Sequence, residues 1–373
     1  MATSKSSTAV LMITEADDVH GEALVWALDR AQVRCDRWSL EEYPERHPSS
    51  VRISNVRPVR FQISGVRESY LSIWLRRLTE PQGFSPSLAA ADVPMATLQA
   101  RRSTEGMRSI FSPGAVWINP LQSRAQANSK PYQLVAARAA GFAIPETLMS
   151  NDPEEIRRFY REHSRDVICK FFTPAFWQRE SDGVLSGLFT ARLTEDHFQN
   201  PVAFTSCPAI YQPLVPKKAD VRVTFFGSSY FAARIHSQQS SSGALDFRSD
   251  IVSESPVEAL RLNGAFLERC MELSSRLGLL HGSYDFIEQP DGSLLFLEVN
   301  EMGQFLWLEE RLPELPLLSA FAALSLDPRP EFRFDVSRWP SHPFEEFLRS
   351  EAFARLADSV NASNAGGPFH YRE

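Results

Sequence analysis

The stretch LLFLEVNEMGQF, residues 294–305, sets a carboxylate and a carboxamide, Glu298 and Asn300, into an otherwise apolar run. Strand alternation puts Phe296, Glu298 and Asn300 on one side and Leu295, Leu297 and Val299 on the other. A carboxylate buried without a partner is costly, so the fold has to give Glu298 one. Two arrangements do so. The strand can end where both groups reach solvent or a backbone partner, or the two can share a cation held by oxygen ligands.

The neighbouring sequence supplies a third oxygen group. GSYDFIEQPDGSLLFLEVN predicts a hairpin turning at Pro290, Asp291 and Gly292, whose strands bring Asp285 near Glu298 and Asn300. TAVLMIT followed by GEALVWALDRAQ predicts a buried strand and an amphipathic helix, the opening of an α/β layer, with no glycine fingerprint between them. YLSIWLRR predicts another strand and carries the pair Arg76 and Arg77, either a solvated strand end or a site for an anion or a partner carboxylate. NSKPYQLVAARAAGFAIPET predicts a helix with Pro131 in its first turn and Gly141 as its stop. NDPEEIRRFYREH predicts a second, with Asp152 as N-cap and Glu155 completing a capping box. DVICKFF and AIYQPLV predict strands, TPAFWQRESDGVLSGLFTARL a hairpin or loop, and DVRVTFFGSSYFAARIHSQ two strands around Gly227 and Ser228. SPVEALRLNGAFLERCMELSSRLG predicts one helix with Ser255 and Glu258 as a capping box and Gly278 as its stop. PFEEFLRSEAFARLADSV predicts an amphipathic helix, and NASNAGGPFHYRE a disordered end.

Asp285, Glu298 and Asn300 form the kind of hard-oxygen set that Mg2+ accepts while keeping water and phosphate as its other ligands. Lys170, mid-strand among apolar residues, calls for an anion, and Lys130 stands at a helix start, where free amides favour one as well. Each lysine alone suits a surface position; with the oxygen set they suggest a triphosphate. No GxxxxGK, HRD or DFG occurs, which excludes a P-loop and a protein-kinase site. A net charge of −7 gives no electrostatic case for nucleic acid as the main partner. The longest apolar run near the end, LPLLSAFAALSL, is too short to span a bilayer, the start lacks a signal-peptide core, and four scattered cysteines suggest neither zinc nor disulfides. The expected location is the cytoplasm, with no membrane partner.

In motif order, IWLRR, WINPLQSRAQANSKPYQLVAARAAGFAIPETLMSNDPEE, VICKFF, AIYQPLV, DVRVTFFG, FAARIHSQ, DFR, GSYDFI and FLEVNEMGQFLWLEE resemble the ATP-grasp superfamily. The narrower resemblance is to the ATP-grasp ribosomal peptide maturases that make graspetides of the microviridin type. DFR together with FLEVN..GQ.LW.E is its most specific part. The resemblance implies an α/β (α+β) fold of a Rossmann-like N-terminal domain (1–125), a central ATP-grasp subdomain (126–205), a C-terminal ATP-grasp subdomain with the metal site (206–326) and an extension (327–373). It implies that Lys130 and Lys170 hold ATP phosphates, that Gln212, Pro213, Leu214 and Val215 line adenine, and that Asp285, Glu298 and Asn300 hold Mg2+. Arg222, Arg234 and Arg248 lie where the family gathers positive charge, with surface ion pairing as the alternative; Asp246, Glu309 and Glu310 are candidate bases by position, and His236 is at least as readily structural.

The chain departs from the family where Pro-Asn commonly follows the metal-binding asparagine, having Glu301 and Met302 instead. The implied activity is ATP-dependent joining of Asp or Glu side chains of a precursor peptide, leader plus core, to Ser/Thr hydroxyls or Lys amines, in a homodimeric enzyme. Two other readings fit the same residues: a ligase of small carboxylates and amines, and a nucleotide-binding protein that recognises peptides without turnover.

Overall fold

The computed structural model describes residues 9–173, 176–178, 185–187, 190–239, 245 and 255–363. The chain opens with β1 (Ala9–Ile13), α1 (Val19–Arg30) and β2 (Arg34–Trp38), then a ribbon of β3 (Ser49–Arg52) and β4 (Arg60–Ile63), then β5 (Ser72–Leu75), α2 (Val93–Arg108) and β6 (Val116–Ile118). β2, β1, β5 and β6 form a parallel sheet in that order. All five residues of β1 are buried, as a central parallel strand covered on both faces requires.

α3 (Leu121–Ala127) and α4 (Lys130–Ala139) lead into a second sheet. It contains β7 (Leu148–Ser150), β8 (Val167–Lys170), β11 (Ala191–Arg192) and β12 (Ala209–Pro213), in the order β11-β8-β12-β7. Between them lie α5 (Pro153–Glu162), the hairpin of β9 (Phe176–Gln178) with β10 (Leu185–Gly187), and α6 (Pro201–Ser206). Gly141, at φ +84°, follows the end of α4, and Asp152 caps α5 by accepting from Glu154 N at 3.0 Å. Glu155 does not complete a capping box; it pairs with Arg158 one turn on.

The third sheet is antiparallel: β13 (Ala219–Phe226), β14 (Ser229–Ile235), β15 (Val257–Leu260), β16 (His281–Glu288) and β17 (Leu294–Asn300), ordered β15-β14-β13-β16-β17. The helix expected from Ser255 onward is a correction. Val257 to Leu260 pair with β14 as an edge strand, and α7 (Gly264–Leu277) starts behind Asn263, whose side chain accepts from Phe266 N at 2.8 Å. The Ser255/Glu258 signal is real as a pattern, but pairing along a whole strand outweighs one cap. Val221, Val223, Tyr284, Phe286, Phe296 and Val299 pack this sheet's inner face against α4 and α7.

The chain then runs through α8 (Leu306–Arg311) and α9 (Leu317–Leu326) to α10 (Phe344–Leu348) and α11 (Glu351–Ser363). The single helix expected in the extension is two, and 361–363, expected to be disordered, close α11; the remainder of that tail lies outside the described residues. Phe344, Phe347, Leu356 and Val360 join the core built on α1 and α9.

The expected side-chain alternation in β17 is also corrected. Asp285 pairs with Glu298 but Phe286 pairs with Phe296, so Leu297 is an extra residue, a β-bulge. Phe296 therefore faces the core with Phe286, while Glu298 and Asn300 share the opposite face with Asp285 and Ser283. Without the bulge, Glu298 and Asn300 would fall on the core face. Deleting Leu297 should restore simple alternation and cost about 3–5 kcal/mol, comparable to losing a core phenylalanine. The urea midpoint followed by tryptophan fluorescence reads this, and a midpoint equal to wild type would show that the bulge does not partition these residues.

Candidate active site

On the face away from α4 and α7, Arg222 of β13 and Asp285 of β16 stand directly opposite one another, both almost fully buried. Arg222 Nη1 donates to both Asp285 oxygens at 2.8 Å and Nη2 to Gln304 O at 3.0 Å; its Nε–H has no partner among the described residues. Neither charge would be tolerated here without the other. Across the ladder, Glu298 accepts from Lys130 Nζ, and both side chains are about three-quarters buried. Asn300 Oδ1 accepts from Met302 N and Gly303 N at 3.1 and 3.2 Å, closing the turn that follows the strand.

Lys130 reaches Glu298 because α4 is clamped to the same strand one turn later. Gln133 donates to Val299 O and accepts from Val299 N, both at 3.0 Å, filling the backbone positions that an edge strand leaves open. Asn119, beyond β6, uses its full hydrogen-bonding capacity: Oδ1 accepts from Leu280 N and His281 N, and Nδ2 donates to His281 O and Glu301 O, all at 2.8–2.9 Å. Glu301, the departure from the family pattern, is buried against Arg124 of α3 at 2.9 Å, and Arg124 also donates to Leu75 O. This glutamate braces the loop rather than facing substrate.

His281 lies flat on Phe226, with ring centroids 5.0 Å apart and planes within 3°, and its Nδ1 is 3.0 Å from Phe225 O. Burial pushes its pKa down to about 4. Gly303, at φ +55°, passes so close that a Cβ there would sit 2.4 Å from His281 Nε2. From α1, His20 Nε2 accepts from Phe305 N and Leu306 N at 3.2 and 3.3 Å, and burial holds its pKa well below the usual value. No local pattern announced Asn119, Arg124, His20 or His281, because each acts on residues remote in sequence.

Lys170 ends β8 opposite Ile210 of β12, in the second sheet. Gln212 is buried there, donating to Thr147 Oγ1 at 3.0 Å, and Pro213, Leu214 and Val215 carry the chain on toward β13. Arg234 does not join the site: it pairs in register with core-facing Val221, on the opposite face from Arg222, and binds Glu258 and Glu288 at 2.5 Å each. His236 stands 3.4 Å from the same Glu258. Asp246 and Arg248 lie outside the described residues. Glu309 is turned into the scaffold, accepting from Leu318 N and Phe344 N at 2.6 and 2.8 Å, and burial raises its pKa to about 7; Glu310 is on the same short helix.

Asp285, Glu298 and Asn300 offer two carboxylates and an amide oxygen on one face, a donor chemistry that fits Mg2+. Among the described residues no three His, Cys, Asp or Glu side chains converge. Among them, too, no helix is long and apolar enough to cross a membrane.

No family model and no curated protein matches the sequence. Solved structures do. The RiPP-associated ATP-grasp ligase of Chryseobacterium gregarium, in complex with ADP and a leader and core peptide, is 26% identical, with a TM-score of 0.76 over 88% of this chain and 100% of that one. The macrocyclase MdnC of Microcystis aeruginosa, bound to its precursor peptide MdnA, is 23% identical at TM-score 0.74, over 86% of this chain and 100% of that one. The ATP-grasp ligase PsnB with a minimal precursor is 22% identical at TM-score 0.68, over 86% and 98%. The fold is the ATP-grasp fold of ligases that mature ribosomal peptides, as the sequence resemblance implied.

The depressed pKa of His281 sets a pH dependence. Between its unfolded value near 6.5 and about 4 the unfolded chain binds the proton more tightly, so this group's contribution is complete above 6.5 and lost as pH falls. Glu309, raised to about 7, has the opposite sign over an overlapping range, so the variant comparison is the readout. The stability difference between wild type and His281→Phe should narrow by about 2 kcal/mol from pH 7 to pH 4.5 in urea titrations; a constant difference would show that His281 is not held neutral.

Proposed function

We propose that this chain is an ADP-forming ATP-grasp ligase that activates Asp or Glu side chains of a ribosomal precursor peptide and joins them to Ser/Thr hydroxyls or Lys amines, closing lactone or lactam rings. The observation that carries this reading is the matched set of two carboxylates and two cations on the outer face of β13, β16 and β17. The likeness to the full length of a ligase solved with ADP and a leader and core peptide supports it.

Asp285, Glu298 and Asn300 would hold Mg2+, which when bound supplies charge neutralisation at the transferring phosphoryl group. Lys130 and Arg222, which neutralise these carboxylates in the free chain, would stand beside the triphosphate, and Lys170, at the end of β8 in the second sheet, would contact its phosphates. Gln212, Pro213, Leu214 and Val215 would line adenine between the two sheets. The substrate carboxylate attacks the γ-phosphorus and ADP leaves, giving an acyl phosphate. The hydroxyl or amine then attacks its carbonyl carbon, loses its proton and expels phosphate. Arg222 is fixed by the buried pair so that its positive charge needs no reorganisation as negative charge develops.

We propose the division into an N-terminal α/β domain (1–125), two ATP-grasp subdomains (126–205 and 206–326) that hold nucleotide and metal, and an extension (327–373). A homodimer and a cytoplasmic location, where ATP and Mg2+ are supplied and the four free cysteines stay reduced, complete the reading. Mass spectrometry of a candidate precursor with ATP and Mg2+ tests it through loss of one water mass per link.

Glu298→Gln and Asn300→Ala should each lower ADP release by about a hundredfold while circular dichroism stays that of wild type, because they remove donor atoms and no core packing. Near-wild-type ADP release in both would refute the metal assignment. A peptide modifier also spends remote binding on orienting the reacting groups. A core peptide stripped of its leader should therefore be dehydrated far more slowly than the intact precursor, with part of the rate restored by leader in trans. Equal time courses, or efficient ligation of free amino acids, would favour a small-molecule ligase.

A further inference from the structure

The ribbon of β3 and β4 contributes nothing to the site described above, yet its composition is unlike the rest of the chain. Residues 46–67 contain five arginines and no acid in a protein of net charge −7. Two of these arginines are already paired, Arg46 with Glu42 at 2.5 Å and Arg67 with Asp36 at 3.4 Å. Arg52, Arg57 and Arg60 are exposed and have no ion pair among the described residues. Arg52 and Arg60 face each other directly across the ribbon, a like-charge pairing that destabilises a sheet. Beside them Ile53, Val56 and Val59 are exposed by 68%, 81% and 53%.

The root of the ribbon is fixed. Ile63 is buried, Phe61 packs on Phe111 with centroids 4.8 Å apart, and Tyr43 Oη lies 3.0 Å from Ser49 Oγ. Among the described residues the ribbon is a two-stranded sheet, so both its outer edges offer unpaired backbone groups. It thus presents opposed cations at the end of its strands, exposed apolar side chains in the connecting loop and open edges on a fixed base.

We propose that the β3–β4 ribbon is a docking surface for an extended segment of the peptide substrate that carries acidic and apolar residues side by side. A carboxylate placed between Arg52 and Arg60 would relieve their repulsion, and apolar residues next to it would cover Ile53, Val56 and Val59 of the connecting loop. The substrate carries Asp or Glu because the reaction consumes them, so charge complementarity selects it; in this the proposal rests on the peptide-ligase reading. A nucleic acid would leave Ile53, Val56 and Val59 uncovered. A second copy meeting ribbon to ribbon would double the arginine repulsion.

The probe is a fluorescein-labelled synthetic dodecapeptide of alternating Glu and Val, with a Lys/Val peptide and a twelve-nucleotide thymidine strand as controls, followed by anisotropy on the full chain. Wild type and Glu298→Gln should bind the Glu/Val peptide alike. Arg52→Ala/Arg60→Ala should bind it about tenfold more weakly, while Arg52→Lys/Arg60→Lys keeps most of the affinity and both arginine variants bind ADP as wild type does in calorimetry. Equal affinity of the alanine double variant would overturn the proposal. So would equally tight binding of either control, or a change of sedimentation coefficient in that variant, which would give the surface to a second copy. Ribbon-dependent binding in a wild-type chain that releases no ADP with any carboxylate peptide would sink the ligase reading and leave this surface standing.

Discussion

The bulge at Leu297 is the constraint on which the site depends. Antiparallel pairing alone would send Phe296, Glu298 and Asn300 to one face, and no single face suits all three. One extra residue moves the phenylalanine into the core beside Phe286 and leaves both polar groups opposite Asp285 and Ser283. Core packing and site chemistry thereby occupy the two faces of one strand, a few ångströms apart, without either burying an unpaired charge.

Charge balance then fixes the site's composition. Two carboxylates this deep need two positive partners, and the fold supplies Arg222 from the adjacent strand and Lys130 from the helix start. In the proposed reaction Lys130 and Glu298 re-partition around metal and triphosphate while the buried Arg222–Asp285 pair keeps its place, so charges remain compensated with and without substrate. That exchange asks little of the backbone, because Gln133, Asn119 and Arg124 hold the strand ends independently of the ion pairs.

These braces also join the parallel sheet to the third sheet. Asn119 ties the end of β6 to β16 and to Glu301, Arg124 ties β5 to that same glutamate, and His20 holds the start of α8 from α1. The extension adds a further clamp, with Trp26 of α1 packed edge-on to Phe347 at 5.8 Å. Glu301, where the family pattern is broken, is therefore best understood as part of a buried brace whose partner is Arg124.

Much of this was readable in the sequence because it is written in local patterns. The Pro290–Gly292 turn between apolar strands gave the hairpin and the approach of Asp285 to Glu298; Pro131 and Gly141 bounded α4; and the ordered motifs pointed to the ATP-grasp fold. What the tertiary structure alone decided was register and partnership. The bulge depends on how β17 fits the helices beneath it. The strand at 257–260 depends on β14 offering an edge, which outweighed the capping signal at Ser255. Arg222 and Arg234 are both strand arginines by sequence, and only the pleat separates the one that meets Asp285 from the one tied to Glu258 and Glu288. Local propensity determined which elements form, since it needs only neighbours in the chain; the face each charge ends on was set by contacts between segments that no local pattern encodes.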